Sequence, residues 1–173
     1  WNRWLRRAFV QGLGAQFDEI AFANDRAFHF RTVVHARQVV LLGAALVNYR
    51  VGNPQSLAAQ VGLPRLQASL RAFEGATRAV AHLPPAMQHM VFSQCMHDVV
   101  GLYARSTPQQ QPAMARALVQ GLAAPWVPFS PFLFDGATPA LFAQAPWWGQ
   151  WQVVQLVAGG GAAAVEAEQT IPV

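Results

Sequence analysis

The sequence has 173 residues, enough for one domain of ordinary size and not comfortably two. Hydrophobic residues make up 53% of it and charged residues only 12%, against a usual share of about 25%. That excludes an intrinsically disordered chain, which needs low hydrophobicity and high charge, and argues against a monomer with an ordinarily wetted surface. The formal charge of +4 is unevenly spread. All twelve basic residues are arginine and lie in residues 1–116, whereas residues 117–173 hold three acids and no arginine. Arginine surpasses lysine at bidentate carboxylate and phosphate contacts. Its exclusive use here reads first as GC-rich codon usage, which also suggests a bacterial source.

In chain order, Trp4, Leu5, Ala8, Phe9, Leu13 and Phe17 recur at three- and four-residue intervals and predict a helix over 2–23. Asn24-Asp25 is a helix start, and a second helix is predicted from there to Tyr49. Its middle, Val39 to Val47, is apolar all round, as expected of a helix buried at the centre of a bundle. Gly52-Asn53-Pro54 ends it. Ser56 caps a short helix through Val61, and Pro64 opens the next, with Leu66, Leu70, Phe73, Thr77 and Val80 on one face. A further helix is predicted from Pro85 to Arg105 with Met87, Val91, Cys95, Val99 and Leu102 inward. A last one runs from Thr107-Pro108 to Leu122. The expectation is a mainly α, single-domain bundle of about six helices over 1–124.

Composition changes at Pro125. Residues 125–151 hold five prolines among Trp126, Phe129, Phe132, Phe134, Phe142, Trp147, Trp148 and Trp151, and one charge, Asp135. Prolines at this density forbid a long helix, and the aromatics are wrong for a solvated linker. An irregular proline- and aromatic-rich C-terminal extension is therefore expected over 125–158, packed on the bundle or on a partner. Within it, Trp151 to Val157 forms a short strand or helical turn. The Gly- and Ala-rich 159–173 is expected to be a loose tail.

Signals for chemistry are few. Cys95 is the sole cysteine, so no internal disulfide can form, and its apolar neighbours mark it as a small buried hydrophobe in a reducing, cytoplasmic setting. Among His29, His35, His82, His89 and His97, no two have metal-ligand spacing along a helix. No nucleophile elbow and no glycine-rich phosphate loop is present. No catalytic residue, cofactor or metal ligand is therefore expected. The longest uncharged run of the first half, Gln38 to Tyr49, is too short to cross a bilayer.

Two patterns remain. Ser56 to Phe73 is similar to a helix-turn-helix: short helix, Gly62 at the turn, then a helix bearing Arg65, Arg71 and Arg78 that could meet nucleic acid. Short helix–Gly–helix corners also serve plain bundles. The aromatic extension has the composition of an interface core, and its tryptophans suit a membrane interface as well. The expected function is a non-enzymatic helical adaptor or structural subunit of a larger bacterial assembly. It would bind other subunits, or a second copy, through its eight aromatics. The alternatives are a helix-turn-helix DNA-binding protein and a helical small-molecule-binding protein or enzyme subunit.

Overall fold

Pro64 and Pro85 each stand in the first turn of a long helix, where the missing N–H costs nothing and the fixed φ favours entry. The computed structural model describes residues 3–44, 53, 56–124 and 144–168, with side chains as far as 159. Six α-helices and no strand occur among the described residues. They are α1 (Arg7–Gly12), α2 (Arg26–Val34), α3 (Leu63–Val80), α4 (Pro85–Ala104), α5 (Gln111–Leu122) and α6 (Trp148–Glu168), with one 3-10 turn at Leu57–Ala59.

The centre is α3, which packs against α2, α4 and α5, while α6 closes over α5 and α4. The face predicted for α3 is buried: Leu66, Leu70, Phe73, Thr77 and Val80. Thr77 is tolerated there because its hydroxyl donates to the Phe73 and Glu74 carbonyls at 3.2 and 2.9 Å. On α4, Val91, Cys95, Val99 and Leu102 point inward as expected, whereas Met87 is exposed. The Ser56 cap is also present, its Oγ accepting from Ala59 N at 3.2 Å, but the helix it starts is a single 3-10 turn.

Three expectations require correction. The helix predicted over 2–23 is only α1. Gly14 at φ +57 ends it, with Ala15 N–H donating to Val10 O and Gly14 N–H to Gln11 O. This pair of bonds closes a Schellman turn, which only a left-handed residue can make. Ala23, also left-handed at φ 54, then redirects the chain into α2. The second helix stops at Val34 rather than Tyr49. The His35 ring donates from Nδ1 to Arg31 O at 2.8 Å and occupies a carbonyl the helix end leaves over. Beyond it Val39, Val40, Leu41 and Leu42 are not a buried central helix but an irregular exposed segment; residues 45–52 lie outside the described residues.

The third correction concerns the form of the C-terminal extension and not its packing: it lies on the bundle, one of the two outcomes expected, but from Trp148 it is a regular helix. Trp147, Trp151 and Val154 are fully buried, with Val157 and Ala158 packed beside them. Their spacing is that of one face of a helix, so α6 belongs to the core, and the core does not end at 124. The helix also runs past 158, where a loose tail was expected to begin.

Candidate functional site

Tryptophan is large and carries one N–H, so burying it needs both a shaped pocket and an acceptor. The Trp147 indole has both. Its Nε1–H donates to Ser93 Oγ on α4 at 2.9 Å, and its ring meets Phe92 and Trp148 edge-on at 6.3 and 5.8 Å between centroids. Trp151, one turn on, is equally buried, and Trp148 is half-buried against the same core. In the single chain Trp147 and Trp151 therefore pack on the bundle, one of the two dispositions expected for the extension, and are not exposed. Trp126, Phe129, Phe132, Phe134 and Phe142 lie outside the described residues.

The three arginines of the helix-turn-helix pattern are not equivalent. Arg65 turns back on its own corner, donating to the Leu57 and Gln60 carbonyls and lying over the Phe22 ring at 5.6 Å. Burial, helped by the charge of Arg105, pulls its guanidinium below the usual arginine range. Arg78 pairs with Glu74 one turn away on the helix surface, and Arg71 is exposed. A recognition helix must offer a free face to the major groove. Helix α3 packs against α2, α4 and α5 and keeps Gln67, Arg71 and Arg78 exposed along one face, while the element before it is one 3-10 turn rather than a helix.

A cleft of about 560 Å³ opens between the N-terminal arm, α2 and α4. Leu5, Phe28, Phe30 and Val91 give it apolar walls, and Arg3, His29 and Gln94 give it polar ones. Arg3 lies 3.3 Å from His29 Nε2. At one edge Arg26 is ion-paired with Asp98 of α4, each about a quarter to a third exposed. Behind that pair sits Cys95, whose thiol is pushed up to about 12, chiefly by burial, with Arg26 acting against the shift and Asp98 adding to it. Such a thiol is protonated near neutrality and is not a nucleophile.

Helix packing also joins residues whose sequence spacing gave no hint of contact. The rings of His35, capping α2, and His82, in the α3–α4 turn, lie 5.3 Å apart. No three His, Cys, Asp or Glu side chains converge as a metal cluster among the described residues. No helix among them is long and apolar enough to cross a membrane. Among the described residues the longest consecutive run of exposed large apolar side chains is Val39, Val40, Leu41 and Leu42, at 63, 68, 91 and 61% of full accessibility. Sequence reasoning found this run but placed it inside the bundle. Its uniform apolarity signals burial without saying against what. Compared with known protein families, curated proteins and solved structures, the chain matches none.

Proposed function

We propose that the chain is a non-enzymatic helical interaction module, an adaptor or subunit of a larger assembly. Its contact segment would be Val39–Leu42 rather than the buried tryptophans. The carrying observation is the exposure of four consecutive large apolar residues. Each forgoes roughly 1.5–3 kcal/mol of burial that a docked partner would return. Contiguous apolar surface of this kind marks a protein or membrane contact. The irregular backbone of residues 38–43 favours protein. Its N–H and C=O groups can bond to another polypeptide, whereas lipid hydrocarbon offers them nothing.

The test is a photo-crosslinking residue placed at Leu41 in the full chain, in its native source, beside the same probe in a Val40→Asp/Leu42→Asp background. The expected result is a discrete polypeptide adduct that the charged variant loses while its circular-dichroism melt is unchanged. Binding should also depend weakly on salt. Absence of any adduct, or one equally strong in the charged variant, refutes the reading. A complex that dissolves steeply with salt would point to nucleic acid instead. The cleft beside α2 favours a second reading, a small-molecule site, because its size and its mixed apolar and cationic lining are those of ligand pockets.

A further inference from the structure

We propose that His35 and His82 together bind a divalent transition-metal ion that prefers imidazole, Zn²⁺ foremost. Two imidazoles sharing a tetrahedral zinc at Zn–N distances of about 2.0–2.1 Å hold their ring centres about 5 Å apart. The observed separation is 5.3 Å, with the ring planes inclined at 38°. Both residues are exposed, so an ion reaches them without opening the core and can complete its shell with water.

The His35 ring has the supporting hydrogen bond a metal ligand requires, and the backbone that carries His82 is braced. A carbonyl can only accept, so the 2.8 Å contact of His35 Nδ1 with Arg31 O puts the proton on Nδ1. In the neutral ring this leaves the Nε2 lone pair for the metal and fixes the ring's direction. His82 is held through its backbone. The Gln88 side-chain amide donates to the carbonyls on either side of it, Ala81 O at 3.2 Å and Leu83 O at 2.7 Å. The bound ion would tie the end of α2 to the α3–α4 turn. That junction lies immediately before the exposed Val39–Leu42 segment, so metal occupancy would set how that segment leaves the bundle.

The experiment titrates Zn²⁺ into the full chain, purified without a polyhistidine tag, near neutral pH by calorimetry. One saturable site is expected, in the micromolar range. His35→Gln or His82→Gln should weaken it at least about tenfold, and Gln88→Ala, which only positions His82, should weaken it by about threefold or more. His97→Gln, at an exposed histidine on α4, should leave it unchanged. Zinc should also raise the thermal midpoint of the parent chain but not of His35→Gln, since only a ligand of the folded state stabilises it. Circular dichroism of the variants checks that each is folded. No saturation below about 1 mM, or binding that neither histidine substitution alters, overturns the proposal.

Discussion

Replacing Trp151 with alanine separates a core residue from a partner anchor. The indole is fully buried within the cluster formed by α3, α4, α5 and α6. Removing it forfeits its transfer free energy and leaves a cavity that the long helices around it close only in part. Truncations of this kind cost about 3–5 kcal/mol. In urea, with a slope of about 1–3 kcal/mol per molar, the unfolding midpoint should fall by more than about 1 M at unchanged slope. Far-UV circular dichroism is the appropriate probe, because the substitution itself alters tryptophan emission. Trp151→Phe, which refills most of the volume, should fall between parent and alanine variant. An anchor waiting for a partner would instead leave the isolated chain within about 0.5 kcal/mol of the parent. A midpoint unmoved by Trp151→Ala would refute the packing described here and restore the tryptophans as candidate contacts.

Two glycines in helices should respond in opposite senses. A Cβ on Gly101 meets nothing within 4 Å, so Gly101→Ala should stabilise the chain by about 0.5–1 kcal/mol through helix propensity. A Cβ on Gly75 would lie 2.9 Å from Ala27 Cβ on α2, which has no rotamer to retreat into. There the crowding, about 1–3 kcal/mol, should outweigh the same gain in propensity. Paired denaturation curves decide it. The thiol of Cys95, raised from an ordinary 9.0 to about 12 in the folded chain, makes the folded state the tighter proton binder. Its contribution should be complete below pH 9 and fade between about pH 9 and 12. Cys95→Ala or Cys95→Val should flatten that part of the stability–pH curve, and thiol reagents near neutrality should label the parent only upon unfolding.

Helices α3 and α4 were legible because local signals agreed with tertiary need: proline at entry and an apolar residue at every third or fourth position. The N-terminal third misled for a physical reason. Apolar spacing cannot reveal left-handed turns at Gly14 and Ala23, nor a histidine that closes α2 from its own C-terminus. The uniform apolarity of Val39–Leu42 pointed to a buried helix, whereas among the described residues nothing covers it. At the other end, the prolines drew attention from a regular signal. Trp147, Trp151, Val154 and Ala158 stand at helical intervals and needed only to be counted from the far side of Pro146. The cleft and the His35–His82 pair depend on α2 lying against α3 and near α4, a relation between distant segments that no spacing along the chain encodes.

The hydrogen bond from Trp147 to Ser93 has a bearing on biosynthesis. It joins positions 54 residues apart, and the buried stripe on α6 follows every other described core element in chain order. Until it arrives, the faces of α4 and α5 that α6 covers stay open. A product cut short before residue 144 would lack Trp147, Trp151 and Val154 and leave that part of the core unfilled.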